Sequence, residues 1–448
     1  MQQLQALMRL ALSVLIGQLA TIGFGVADTA MLGHYASVSS LATLAIGQAI
    51  YITLSIALSG VTQALLPVIG RSHGADAPLQ VGAWFRQGLW LSAGLSVVGM
   101  GILLWPQPLL ALTGQRHDPA VDAYLAVLTL GLPAALAFRA HAAFIQAISK
   151  PMLTTTLQLG GLLAKLLLNA AFLLPGIGLG RALSVEGATA CALATVLTQY
   201  GLLGMALWQH RSSDALRPYA ALSRWSRPQW RALAHLLRLG LPIGLSLLVE
   251  VSAFTFMALF IARLGHTVLA AHQITANFAT VLYMLPLSLS IATSAVVAQH
   301  LGAGQRQAAR RTAFSGVSAA ALLSVAVGLV VLFARRQIIA WYTSDAQVQA
   351  VAMQLFVFIA LYQVFDAIQA SSAFVLRAYH VVALPSALYA LSLWGIGLGG
   401  GYVLGFDVLG TTPQALRGAA GFWMGNTTGL ALAASCFALL LWRAARAP

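Results

Sequence analysis

Apolar runs of about 20 residues recur along the whole chain, each long enough to cross the ~30 Å hydrocarbon layer of a bilayer as an α-helix rising about 1.5 Å per residue. Of the 448 residues, 59% are apolar and only 8% charged. That leaves too little polar surface for a soluble domain. The runs are also continuous, whereas a membrane β-barrel is written in dyad-alternating segments of about ten residues. The fold class is therefore all-α integral membrane.

Polar breaks separate twelve predicted spans, roughly 10–32, 41–69, 84–105, 121–148, 153–174, 187–208, 236–264, 269–298, 313–334, 351–376, 384–404 and 420–442. The N-terminal run is too long for a signal-peptide core and reads as a retained first span. The formal charge of +14 is scattered through short loops, so it marks topology and not a nucleic-acid surface. With the N-terminus cytoplasmic, sixteen Lys and Arg fall inside and six outside, among them Arg116, Arg181, Arg335 and Arg336. Both termini are expected on the cytoplasmic side of an inner membrane. The two cysteines, Cys191 and Cys436, lie within apolar runs and imply neither a disulfide nor a metal site.

The longest hydrophilic stretch, 210–231, falls between spans six and seven. It divides the chain into a six-helix lobe at 1–209, a cytoplasmic linker at 210–231 and a second six-helix lobe at 232–448. The halves resemble each other: LGHYASVSSLA after span one parallels LGHTVLA after span seven, IGRSHGAD parallels AQHLGAG, and ALTGQ parallels WYTSD. A duplicated unit with an even number of spans predicts two bundles related by a pseudo-two-fold axis along the membrane normal.

Three of the ten acids sit inside spans: Asp28, Glu250 and Asp366. An acid at helix centre costs roughly 2.5–3.5 kcal/mol on insertion scales, so such residues mark ion or substrate pathways by default. Asp28 is four residues from the predicted end of its span and could reach the outer interface. Around the other two, Tyr362 precedes Asp366 by one turn, Gln363 and Gln369 lie three residues to either side, and Phe254 follows Glu250 by one turn. Two carboxylates with a phenol and amides suit a Na⁺, or one carboxyl can hold a proton. An aromatic face suits an organic cation. The plain alternative is that each acid only hydrogen-bonds a neighbouring helix. Lys165 and Arg139 are expected to snorkel, and His272 to be hydrogen-bonded near the interface. Pro133 and Pro286 predict kinks. Walker A, HExxH and GxSxG patterns are lacking, so ATP-driven transport and hydrolysis have no sequence support.

The runs VADTAMLGHY, LGLPIGLSLLVEVSAFTF, LAAHQITANFATVLYMLPLSLS and LYQVFDAIQASSAFVLRAY resemble the multidrug and toxic compound extrusion (MATE) family, in its NorM-like branch. The resemblance covers nearly the whole chain. It implies a secondary antiporter, not an enzyme, that expels organic, often cationic and amphipathic compounds while Na⁺ or H⁺ moves inward. The family's acidic positions in its first, seventh and tenth helices fall on Asp28, Glu250 and Asp366, and its aromatic and phenolic partners on Phe254 and Tyr362. Cation coupling is thus expected at Glu250, Asp366, Asp28 and Tyr362, with Glu250 and Asp366 as the ligands of a Na⁺. Substrate binding is expected at Phe254 and, from the eighth span, Gln273, Asn277 and Tyr283. Another branch carries an aspartate in helix five, where this chain has only Lys165 and Asn169. Coupling centred in the first lobe is therefore not expected. The implied protein needs no cofactor, acts as a monomer and has the lipid bilayer and small organic molecules as partners. A flippase for a lipid-linked precursor is the alternative within transport, and a channel the alternative outside it.

Overall fold

The computed structural model describes all residues except 1, 108–117, 175–179, 181–184, 186, 224–225 and 447–448, and the side chains of 2–4 and 38 are likewise not described. Arg116, Arg181, Glu186, Arg224 and the run ALTGQ lie outside the described residues. Among the described residues every regular element is helical. Twelve helices or helix pairs are long and apolar enough to cross a membrane.

In chain order they are α1 (Gln2–Tyr35), α2 (Val38–Thr62) with its continuation α3 (Leu65–Gly74), α4 (Pro78–Leu104), α5 (Pro119–Ala147), α6 (Met152–Leu173) and α7 (Gly187–Ser212). There follow α8 (Trp230–Ala262), α9 (His266–Gly302), α10 (Arg306–Tyr342), α11 (Ala346–Ala378), α12 (Ala383–Ala390) and, after a π-helical stretch over Leu391–Gly400, α13 (Gly401–Gly405) and α14 (Ala419–Ala444). Several extend beyond the apolar runs because polar residues cap them. Asp118 accepts from the Ala120 amide at 2.9 Å ahead of Pro119. Asp345 accepts from the Gln347 and Val348 amides at 2.8 and 3.2 Å. Each cap satisfies a helix-end donor and is worth about 1 kcal/mol.

The chain forms two compact units, Ile16–Gly244 (the N-terminal unit) and Leu245–Pro448 together with Met1–Leu15 (the C-terminal unit). The boundaries fall inside α1 and α8. Within α8 the change comes just after Gly240, Pro242 and Gly244. In the N-terminal unit Gly240 and Gly244 lie against the backbone carbonyls of Val61 and Ala57, so close that a Cβ at either would collide with them.

The segment 210–231 is part of the N-terminal unit and is tied down. Arg86 on α4 donates from Nε to Ser226 Oγ and from Nη1 to the Ala220 carbonyl, each at 3.0 Å. Gln87 donates to the Arg227 carbonyl at 3.0 Å and accepts from the Gln229 amide at 2.8 Å. Trp90 Nε1 donates to the Ser226 carbonyl at 3.0 Å. The described residues of the stretch read from the sequence as a linker thus form a strap across one end of α4.

With no hydrophobic driving force between helices in lipid, packing rests on small residues and on hydrogen bonds that cross between helices. In the C-terminal unit, Ser294 on α9 donates to the Phe374 carbonyl on α11 at 2.6 Å, and Ser290 and Ser371 share a hydrogen bond of 2.8 Å. The Ser290 hydroxyl also reaches the carbonyl of Pro286, one turn before it. A close backbone approach brings α14 against the span-eleven helix, where Gly421 meets Gly405, Gly425 meets Gly401 and Gly429 meets Gly397. A Cβ built on Gly421 or Gly429 would lie 2.6 or 2.8 Å from the facing backbone nitrogen.

Candidate functional site

Among the described residues, each compact unit holds a buried charged cluster built around an acid inside a span. In the C-terminal unit the centre begins with Glu250 on α8, whose carboxylate accepts a hydrogen bond from the Tyr389 hydroxyl on α12. Two further bonds hold the same pair of helices together. Ser246 Oγ, one turn before the acid, donates to Ser386 Oγ at 2.8 Å. Trp394 Nε1 donates to the carbonyl of Val249 at 3.2 Å. Trp394 lies in the π-helical stretch, and such windings are frequent at functional sites. Helix α8 carries an apolar sequence around Glu250, so these polar rungs fix which way the acid faces.

Asp366 on α11 is 4% exposed and lies within electrostatic reach of Glu250. Arg377, near the end of the same helix, is buried and lies within reach of Glu250 and Tyr283. Its guanidinium carbon stands 4.1 Å from the centre of the Phe374 ring. The sequence places Arg377 among the loop cations, whereas the fold draws it inward. Counting formal charges, Glu250 and Asp366 carry two negatives and Arg377 one positive. Arg377 is within electrostatic reach of Glu250 and not of Asp366, so with both acids ionised Asp366 is the negative charge left without a cationic neighbour among the described residues.

Tyr362 and Phe254 meet beside the acids, their rings 6.2 Å apart at 82°. Trp423 on α14 closes the group, 5.8 Å from Tyr362 and 6.4 Å from Phe254. His272 packs against Trp423 at 6.0 Å and is 1% exposed, so it is an interior residue and not the interfacial one expected. His272 Nδ1, Trp423 Nε1 and both amide atoms of Gln363 are buried with no protein hydrogen-bond partner. Leaving such groups unmet costs about 1–3 kcal/mol each. Of the expected substrate residues, Tyr283 and Phe254 stand with the acids. Gln273 and Asn277 are exposed, and Asn277 accepts instead from the Tyr342 hydroxyl on α10 at 3.1 Å.

The centre in the N-terminal unit is built differently. Asp28 is 5% exposed, and helix α1 runs on to Tyr35, so the acid does not reach an interface. Its Oδ1 pairs with Lys165 Nζ at 2.8 Å and accepts from Asn169 Nδ2 at 2.8 Å. Lys165 does not snorkel. It is 0% exposed and also donates to the Cys191 carbonyl at 2.9 Å and to Thr195 Oγ1 at 2.5 Å. The charges here sum to zero.

Sequence reasoning missed Arg377, Tyr389, Trp394 and Trp423 as parts of the C-terminal centre. The spacing of Tyr389 and Trp394 on their own helix carries no such signal. Nothing local marks residues more than 120 positions from Glu250 as its neighbours. Lys165 and Asn169 did carry a signal, since polar residues one turn apart in a span face the same way.

The MatE family model matches residues 13–171 and 242–403, the greater part of the chain. A probable multidrug resistance protein NorM of Aromatoleum aromaticum is 35% identical over 97% of this chain and 93% of its own length. The multidrug resistance protein PmpM of Pseudomonas aeruginosa is 33% identical over 99% of this chain and 92% of its own. Among solved structures, the eukaryotic MATE transporter AtDTX14 superposes with a TM-score of 0.87 at 19% identity, covering 99% of this chain and 98% of that one. At that identity the likeness speaks for the fold.

Proposed function

Since the chain belongs to the MatE family of multidrug efflux transporters, we propose that it expels organic, cationic or amphipathic compounds in exchange for one coupling cation bound at Glu250 and Asp366. It is a transporter and not an enzyme, and the flippase reading draws no support from these relatives. The single observation that carries the coupling proposal is the charge balance of the C-terminal centre, two carboxylates against one guanidinium. A buried net charge is costly. One Na⁺ or one proton brings the cluster to neutrality, and so does one monocationic drug. The two are therefore alternatives at the site, which is what exchange requires.

Na⁺ is the proposed ion, because two carboxylates with the Tyr362 and Tyr389 hydroxyls nearby offer several oxygen ligands. Phe254, Tyr362 and Trp423 supply ring faces for the cargo, the kind of surface that attracts an organic cation. Gln363, His272 and Trp423, with hydrogen-bonding capacity unmet by protein, suit a hydrated path to Asp366. The protein works in this reading by alternating access, as a monomer in a bacterial inner membrane with both termini cytoplasmic.

The test is export activity, read as uptake of a fluorescent organic cation into the lumen of everted vesicles, under an imposed lumen-high Na⁺ gradient or an imposed lumen-acid pH gradient. Efflux should follow the Na⁺ gradient and fall to the empty-vector level in Glu250→Gln and in Asp366→Asn. Efflux driven only by the pH gradient would reassign the ion to H⁺. Undiminished efflux in both variants would remove the site.

A further inference from the structure

We propose that Lys165 is a tethered stand-in for a cation at Asp28, so that the carboxylate of the N-terminal unit is permanently occupied and takes no part in ion exchange. The ammonium has three N–H donors, and all three are used: on Asp28 Oδ1, the Cys191 carbonyl and Thr195 Oγ1. The acceptors are a carboxylate, a backbone carbonyl and a hydroxyl, an all-oxygen set of the sort that hard cations take. They converge from α1 and α7 on one point that is fully buried. Thr195 is itself oriented by donating to the Cys191 carbonyl at 2.9 Å, and the same Asp28 Oδ1 also accepts from Asn169, one turn on from Lys165 on α6. Asn169 Oδ1 is buried without a partner, a spare acceptor oxygen on the residue one turn from Lys165.

The cage is therefore a cation site whose ion is covalently attached to α6. An attached ion cannot leave, so the site cannot follow a gradient. A mobile cation would have to displace an ammonium that makes three hydrogen bonds, at no gain in net charge. The contrast with the other centre follows directly, since Glu250, Asp366 and Arg377 together remain one positive charge short. For transport, this deepens the reading in which coupling lies wholly in the C-terminal unit. The cage itself does not depend on that reading.

Removing the tether should convert the cage into an open cation site. In purified full-length Lys165→Ala, thermal unfolding is followed in methylammonium chloride, sodium chloride or N-methylglucamine chloride at constant ionic strength. Methylammonium or Na⁺ should raise the midpoint of Lys165→Ala by several degrees more than that of wild type, as a ligand confined to the folded state does. The bulky cation should not, and Asp28→Asn added to Lys165→Ala should abolish the rise. A response no larger than that of wild type, or one that survives Asp28→Asn, overturns the proposal. Because Lys165→Ala leaves a buried carboxylate unpaired, a second variant is measured beside it. Asp28→Asn/Lys165→Met removes both charges together, a change that buried pairs often tolerate. Its drug efflux in proteoliposomes should stay within roughly twofold of wild type with the same ion dependence. Loss of efflux in a double variant that melts like wild type overturns the proposal, whether or not Lys165→Ala can be purified. Neither readout requires Glu250 or Asp366 to be the coupling site, so failure here is separable from failure there.

Discussion

In the proposed exchange, Arg377 sets how many cations the C-terminal centre would take. With it, Glu250 and Asp366 fall short by one charge, and without it they fall short by two. At an effective dielectric constant near 20, a unit charge several ångströms away is worth on the order of 2 kcal/mol. Arg377→Gln should therefore lower the coupling ion's half-saturating concentration by on the order of thirtyfold and slow its release. Substrate-stimulated ion flux in proteoliposomes measures both. The direction is opposite to that expected of Glu250→Gln, so weaker ion binding in Arg377→Gln would mean that the guanidinium positions the acids and does not balance them. Lys165 shows the same arithmetic completed at one residue, with an ion pair of 2.8 Å inside the N-terminal unit. The two lysine and arginine side chains thus have different jobs although both are buried cations.

At the scale of elements, the position of Tyr389 and Trp394 depends on how closely their helix lies against α14. That closeness rests on glycines at four-residue spacing on both sides, Gly397, Gly401 and Gly405 facing Gly429, Gly425 and Gly421. Gly425→Leu would push a side chain into the backbone of Gly401 and force the helices apart. The expected cost is about 1–3 kcal/mol of stability. Drug efflux should fall with it, because the same helix supplies the Tyr389 hydrogen bond to Glu250. Gly204→Ala on α7 is the control, since a Cβ there meets nothing within 4 Å. Its thermal midpoint should match or slightly exceed that of wild type, and equal damage from the two substitutions would show that glycine content, not the facing register, matters.

At the scale of the molecule, the proposed exchange, with one uncompensated charge at its site, predicts one coupling cation per cycle. Exchange of one monovalent ion for a monocationic drug then moves no net charge, and its rate should be insensitive to a membrane potential. Exchange for a neutral compound moves one charge, which is worth up to about 2.3 kcal/mol per 100 mV. Proteoliposomes clamped with a potassium diffusion potential should show acceleration for the neutral compound and none for the cation. Acceleration of both would require a second ion in the cycle and would reopen the N-terminal centre as a participant.

The sequence alone determined the membrane-spanning class, the number of spans and the family, because a bilayer fixes how long and how apolar a spanning helix must be and because the family's motifs are local strings. It also picked out Glu250 and Asp366, since an acid in an apolar run stands out whatever surrounds it. Which cation answers which acid was decided only by tertiary structure. Lys165 and Asp28 are 137 positions apart, Arg377 and Glu250 are 127 apart, and nothing in the spacing of either pair says they meet. Charge balance is a property of neighbours in space, so the difference between an occupied centre and one left a charge short could be read only after the helices were packed.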